Sequence, residues 1–450
     1  MLQTLFYIPR EIAGVPVFGV GWLLAVWAVV SVGWLAWLAR RHGFGPEVTA
    51  NLPLLVTLGA VIGWVLPQLC EPQGLPIRGY GVMLLLGLAS GVGLAAYRAR
   101  QIGLNPEMIY SLAFWMCISG IVGARVFYVI EYWPEYQRPT LLQTLQAMAN
   151  FTKGGLVVFG SAIGAGLALW TFVRKYRLPG LALADLIAPS VMVGLACGRV
   201  GCFFNGCCFG GACELPWAVQ FPWKSPPHVR QVELGLTALH GLTITGEPDD
   251  PAVIQSVLAD SPAARAGLKP GQTIRDVLIN GRGMVSESNG SGGCRQSGEA
   301  PKYLPADTVR EVQFSLLEAI RRGSQVTVYT RDRAQPAIFT VRSAPARSLP
   351  VHPAQIYSAV DALLLCLFLL AYYPYRQHDG EVFAWMITIH PISRFLQEVI
   401  RIDESSVFGT GLSISQNISI LMLMAALGLW WHLLGRPRGL AWPGSAAGPR

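Results

Sequence analysis

LALADLIAPSVMVGLACGRVGCFF, residues 181–204, sets the architecture: it is apolar almost throughout, yet carries Asp185 and Arg199. A bilayer span needs about 20 mainly apolar residues, so this stretch reads as a transmembrane helix. Before it lie apolar stretches between Glu11 and Arg40, Glu47 and Glu71, Arg78 and Arg98, Glu107 and Arg125, and Lys153 and Arg174. After it lie Ala354 to Tyr375, Glu381 to Ile400 and Leu412 to Leu434. The pattern predicts an α-helical polytopic membrane protein of about nine spans. The first stretch is too long for a signal peptide and lacks its basic front and small-residue cleavage site, so it is expected to persist in the mature protein.

Composition agrees. The 450 residues are 52% hydrophobic and 13% charged, with mean hydropathy +0.43, against about 25% charged for a soluble domain. Of the 34 basic and 26 acidic residues, 27 fall between Lys224 and Arg347. A membrane body is thus interrupted by one water-soluble insert. The net charge of +8 forms no contiguous basic tract; the basic residues sit at the ends of apolar runs, as topology signals and anionic-lipid contacts, and no nucleic-acid partner is expected. Alternate connections hold Arg40, Arg41, Arg98, Arg100, Arg174, Lys175, Arg177, Arg376, Arg436, Arg438 and Arg450 on one side. Arg10, Arg78, Arg138, Lys153 and Arg401 lie on the other. The richer side is expected to be cytoplasmic, which puts the N-terminus outside, the C-terminus inside and the insert outside the cytoplasm.

In the insert, Val253, Ile254 and Val257, then Ile274 to Ile279, then Val326 and Val328 with Ile338 and Val341, read as short strands. Ser261 to Gly267 reads as a one-turn helix, Asp307 as the cap of a longer helix, and Ser286 to Pro301 as a loop. The run Val253 to Gly281, with Ser261-Pro-Ala-x-x-Ala-Gly267-Leu-x-x-Gly271 before a strand, resembles a PDZ domain of the bacterial protease type. That resemblance implies an α+β fold over about 240–344 that takes peptide C-termini by strand addition, with Gly241-Leu-Thr-Ile244 as the carboxylate-holding loop. The alternative is a rigid cap without a ligand.

Charges within spans cost about 2.5–3.5 kcal/mol each, so Arg125, Asp185, Arg199, Asp361, Arg394 and Glu398 need a reason. His390, Arg394 and Glu398 are spaced by four on one helical stripe, and Arg401 follows a turn later. In the segment 197–211 the glycines permit close backbone approach, and Arg199 supplies a planar donor fork suited to phosphate. His352-Pro-Ala-Gln-Ile-Tyr357 enters a helix directly from the insert. Cys202, Cys207, Cys208 and Cys213 could in number hold a metal but lack paired Cys-x-x-Cys knuckles; a disulfide and free thiols are the other readings, and no metal is assigned. No nucleotide or redox cofactor motif is present, and no cofactor is expected.

Tyr80-Gly81, Gly123-Ala-Arg125, Gly154-Gly155-Leu156, Asp185 before Ile187-Ala-Pro189, and Gly198-Arg199-x-Gly201-x-Phe203-x-Asn205-Gly206 are followed in order by His352-Pro-x-Gln-x-Tyr357 and Arg394-x-x-x-Glu398-x-x-Arg401. The set resembles the prolipoprotein diacylglyceryl transferase family. The similarity covers roughly 77–221 and 351–434. It implies a seven-span core, 77–223 and 351–435, to which 1–76 adds two spans, 224–350 the insert and 436–450 a cytoplasmic tail. It further implies a bacterial plasma-membrane enzyme that moves the diacylglyceryl group of phosphatidylglycerol onto the lipobox cysteine of a preprolipoprotein signal peptide, releasing glycerol phosphate. On this reading Arg199 and Arg394 hold and stabilise the phosphate, supported by Arg125, Asn205, Gly210, Glu398, Arg401 and His352. The family's usual histidine in the Gly-Gly segment is Phe159 here, the usual asparagine after Arg-x-Gly is Cys202, and the usual glutamate after the His-Pro motif is Ser358. His390 or Tyr80 is then the candidate to take part in activating the thiol, or the arginines alone lower its pKa far enough. Two other functions fit the sequence: a divergent paralogue with another acceptor, and a catalytically silent scaffold that binds peptides through the insert.

Overall fold

The structure is a computed structural model that describes residues 3–43, 52, 55–71, 73–137, 140–149, 157–283, 307–319, 324–341, 347–401 and 411–442. The chain divides into two compact units, Met1–Leu85 and Leu86–Arg450. In the first, β1 (Thr4–Ile8) pairs antiparallel with β2 (Leu75–Arg78), and α1 (Trp22–His42) is a long apolar helix. A shorter apolar helix, Leu55–Gln68, stands where the second span is expected, and part of that stretch lies outside the described residues.

Helix α2 (Gly79–Gln101) leads into the second unit, followed by α3 (Pro106–Glu131), α4 (Leu141–Ala149), α5 (Val158–Tyr176) and α6 (Gly180–Asn205). Among the described residues a helix occupies each of the nine apolar stretches, but six are long and apolar enough to cross a membrane. Leu55–Gln68, α5 and the later helix Glu381–Glu398 fall short on length or on hydropathy. In α5 the last turn carries Arg174 and Lys175, and Glu381–Glu398 contains its own charged row.

Small residues let the helices approach. A Cβ on Gly123 would lie 2.3 Å from the Gly160 oxygen, and one on Gly164 would lie 2.1 Å from the Ser119 oxygen, so α3 and α5 pack nearly backbone to backbone. Gly87 meets Gly194 and Cys197 in the same manner, seating α2 on α6. The Gly154-Gly155-Leu156 motif and the side chain of Phe159 lie outside the described residues, as do Arg138, Lys153, Cys294, the 286–301 loop and residues 443–450.

The insert begins with helix α7 (Pro226–Glu233) and is closed at its base by its own two ends. Phe221 N donates to Ser348 Oγ at 2.8 Å, and Leu349 N donates to Gln231 Oε1 at 2.8 Å. Its strands are β3 (Leu242–Ile244), β4 (Ile254–Val257), β5 (Ile274–Ile279), β6 (Arg282–Gly283), β7 (Gln325–Thr330) and β8 (Ala337–Thr340). They form an antiparallel pair β3–β4 and a four-stranded sheet ordered β8-β7-β5-β6. Helices α8 (Pro262–Arg265) and α9 (Val309–Glu318) complete a core of its own that includes Val232, Ile254, Ile274, Val312, Leu316 and Val328.

Two expectations are corrected. The α9 cap is Thr308, whose Oγ1 accepts from Glu311 N, and not Asp307; the Asp307 carbonyl instead accepts from Ala252 N at 2.8 Å, which ties the chain into the sheet one residue earlier. Gly241-Leu-Thr-Ile244 is not a loop. His240 and Gly241 form a tight turn with positive φ, 53° and 94°, and Leu242–Ile244 is already a strand because Leu242 and Ile244 alternate into the core.

His228 of α7 is fully buried against Trp223, and neither ring nitrogen has a hydrogen-bond partner among the described residues. Burial lowers its pKa, and that of His240, below the ordinary histidine value. The folded state therefore holds these rings neutral. Their stabilising contribution is complete above the unfolded-state pKa of about 6.5 and is lost as pH falls from there through the depressed folded values. Melting of the protein in detergent should accordingly drop on acidification below about pH 6.5, and His228→Phe should flatten that dependence. An unchanged profile in His228→Phe would remove His228 from this account.

Candidate functional site

The site is assembled at one end of the second unit from α6, α10 (Ala354–Tyr372), α11 (Glu381–Glu398) and α12 (Ile414–Leu434). The spacing of four puts His390, Arg394 and Glu398 on one face of α11. Arg394 Nη1 forms an ion pair with Glu398 Oε2, its Nη2 donates to Ser415 Oγ at 2.7 Å, and Arg401 Nη1 reaches the same Glu398 oxygen at 3.3 Å. One carboxylate, 4% exposed, thus bridges two arginines that are 13% and 6% exposed. Buried charges persist only when so paired.

From α6, Arg199 faces both Arg394 and His390, and Asp361 of α10 also faces His390. Arg199 is half-buried and makes no hydrogen bond or ion pair among the described residues, so its fork is open to an anion. The Nδ1 of His390 is buried and unpartnered among the described residues, while Asp361 Oδ2 accepts from Ser393 Oγ at 2.7 Å. Three arginines, Arg199, Arg394 and Arg401, against two carboxylates, Glu398 and Asp361, leave this end of the bundle net positive.

Gly206, with φ +79°, ends α6 and turns the chain into a segment threaded between the insert's exit and the end of α11. Gly210 N donates to the His352 carbonyl at 3.0 Å and Gly211 N to the Ile400 carbonyl at 2.8 Å, while His352 N returns a bond to the Gly211 carbonyl at 3.0 Å. A Cβ on Gly210 would sit 2.6 Å from His352 Cβ and 3.1 Å from both carbonyl oxygens. Gly210→Ala should therefore wedge the joint open at a cost of about 1–3 kcal/mol, lowering the melting temperature in detergent and slowing the reaction with the chain still in the membrane. Full activity and an unchanged melt would show the joint to be slack.

The His352 ring lies 3.4 Å from Tyr357 Oη, which accepts from Trp217 Nε1 at 2.7 Å, so the histidine sits at the insert's junction with α10. Asn205, exposed at the last turn of α6, bonds to Cys207. Arg125 is placed elsewhere: its Nε donates to the Met148 carbonyl at 2.8 Å and it lies over the Tyr136 ring, closing the C-terminal end of α4. Tyr80 stands in the first turn of α2, in the first unit. Sequence reasoning passed over Ser415 and the pair Ser358–Gln397. Ser413-x-x-Gln416, a capping box, marked the start of α12 and so the neighbourhood of Ser415.

A second polar cluster closes the opposite end. Asp185, fully buried near the start of α6, accepts from Gly380 N at 2.7 Å and Phe383 N at 2.8 Å, which caps α11. Arg376 lies 4.0 Å away and stacks on Tyr373; Arg98 also lies over that ring and donates to the Leu186 carbonyl.

Long apolar helices around a buried arginine row define a polytopic membrane protein able to hold an anionic group at one end of its bundle. Residues 67–264 and 308–432 match the family described as prolipoprotein diacylglyceryl transferase. The phosphatidylglycerol–prolipoprotein diacylglyceryl transferase of Rhodopirellula baltica is 36% identical over 461 residues, covering 95% of this chain and 88% of the relative. The enzyme of the same name from Trichormus variabilis is 36% identical over 169 residues, 37% of this chain and 58% of the relative, and that of Clostridium tetani 34% over 156 residues, 34% and 60%. The chain belongs to the prolipoprotein diacylglyceryl transferase family.

Proposed function

We propose that this protein transfers the diacylglyceryl group of phosphatidylglycerol to the lipobox cysteine of prolipoproteins in a bacterial membrane. The observation that carries the site assignment is the half-buried Arg199 fork, without a partner among the described residues, beside the Glu398-bridged pair Arg394 and Arg401. The cysteine thiolate attacks the glyceryl carbon that bears the phosphate ester. A C–S bond forms as the C–O bond breaks, and glycerol phosphate leaves with the electron pair. Arginine forks in a low-dielectric site neutralise that leaving charge. The thiol proton goes to His390, whose buried Nδ1 has no other partner among the described residues and whose ring neighbours Asp361, Arg199 and Arg394. Asn205, Gly210 and His352 shape the phosphate end of the site.

The cluster and the insert's junction share one end of the bundle, and the charge tally of the loops puts that end outside the cytoplasm, with the C-terminus inside. The nine helices serve as nine spans on this reading. The PDZ-like insert captures peptide C-termini at the β3 edge. That edge is closed here by Leu239, hydrogen-bonded to Leu242, and by Gln313 Nε2, which donates to the Ile244 carbonyl at 2.7 Å. Gln313→Ala should then tighten binding of a labelled peptide with a free carboxylate to the full chain; no binding to either form would leave the insert as a cap.

The decisive test is expression in cells depleted of their own diacylglyceryl transferase. Restored growth and the gel shift of a model lipoprotein, both lost in Arg199→Ala, are expected. Correct insertion without rescue would defeat the transferase assignment for standard substrates.

A further inference from the structure

The thiols at the end of α6 play no part in the transfer chemistry above. Cys202, Cys207 and Cys208 have sulfurs that all lie within 4.8 Å of one another, and all three residues are half-buried and outside any disulfide. We infer that Cys202, Cys207 and Cys208 bind one thiophilic d10 cation, Zn2+ or Cu(I), in a three-thiolate site.

Several independent features place the sulfurs together. Cys202 is in the last turn of α6, whose carbonyl is capped by Gly206 N at 2.8 Å. Cys207 is held by Gln355 Nε2 donating to its carbonyl at 2.7 Å and by the Asn205 side chain. Cys208 adopts φ +59°, a left-handed backbone that strains a non-glycine residue and turns its side chain back toward the end of α6. A glycine would take that conformation without strain, in a segment that already uses Gly206, Gly210 and Gly211.

Bonds from sulfur to Zn2+ of about 2.3 Å put ligating sulfurs about 4 Å apart. The observed spacing therefore closes around an ion with small χ1 changes and no backbone movement. The sequence count of four cysteines is not reproduced in space, since Cys213 is outside the group. Three thiolates satisfy Cu(I) outright and leave Zn2+ one further position, and soft sulfur selects either over Mg2+ or Ca2+. Each thiol gives up its proton as its sulfur–metal bond forms, so loading releases protons and weakens at low pH.

The full-length chain, purified reduced in detergent and stripped with chelator, is loaded with Zn2+ in one arm and with Cu(I) under anaerobic conditions in another. We expect about one metal per chain retained through gel filtration in at least one arm, protection of three thiols from a thiol reagent, and a raised melting temperature. Which arm retains metal names the ion. Cys202→Ser should lose the metal, while Cys70→Ser and Cys366→Ser should keep it. Cys208→Gly removes one ligand and relieves the left-handed strain, so it should fold and melt no lower without metal, yet show no metal-dependent shift. Retention unchanged in Cys202→Ser and Cys208→Gly would overturn the site. So would loss of two thiols to mild oxidant with recovery by reductant and no metal retained, which would assign a disulfide instead.

Discussion

Arg394→Ala is expected to lower the rate of diacylglyceryl transfer by about two to three orders of magnitude, the usual effect of removing a donor aimed at developing charge in a dry site. Arg394 is held on both sides, by Glu398 and by Ser415, so its fork is fixed before any lipid arrives. Loss of the fork leaves the buried Glu398 with Arg401 alone and exposes the leaving phosphate to a less positive site. Arg199→Ala should fall as far, since that guanidinium has nothing else to neutralise it among the described residues. Arg394→Lys keeps the charge but not the planar two-donor geometry and should recover only part of the rate. The measurement is initial rate on a lipobox peptide in phosphatidylglycerol micelles, with membrane level fixed by immunoblot. A ten-fold or smaller loss in both alanine variants would show that phosphate is held elsewhere.

Asp185→Ala should be the most damaging change to the fold. The carboxylate is fully buried, caps the start of α11 with two backbone bonds, and faces Arg376 at 4.0 Å. Breaking a buried ion pair by removing one partner costs about 3–5 kcal/mol, and here two amides and a guanidinium are stranded together. Because α11 carries His390, Arg394 and Glu398, a loosened start displaces the whole row on which the proposed mechanism rests. Loss of monodisperse protein after mild heating in detergent would register the effect. Asp185→Asn, which still accepts hydrogen bonds, should lose less. An Asp185→Ala chain that melts as the parent does would assign the cap to another group.

What the sequence determined by itself was local or periodic. Apolar runs of bilayer length fixed where helices lie, because each satisfies its own backbone hydrogen bonds and hides its apolar surface whatever its neighbours do. The charge-rich interval from Lys224 to Arg347 marked the insert, and period-two alternation at Ile254, Ile274 and Val326 marked its strands. The spacing of His390, Arg394 and Glu398 was legible for the same reason, since a helix converts an interval of four into one face. The cap at Thr308 rather than Asp307, and the turn at His240–Gly241 in place of a loop, differed by a residue or two because the competing candidates are adjacent and tertiary contacts choose between them.

The tertiary structure alone decided which distant residues meet. Arg199 and Arg394 are brought together by packing of α6 beside α11, Asp185 finds the amides of Gly380 and Phe383 across nearly two hundred residues, and Arg125 turns to the end of α4. Three of four neighbouring cysteines converge because Gly206 and the left-handed Cys208 fold the chain back on itself. None of these meetings is encoded by periodicity. Close approach of helices at glycines settles the first, and the need of a buried charge for partners settles the second and third.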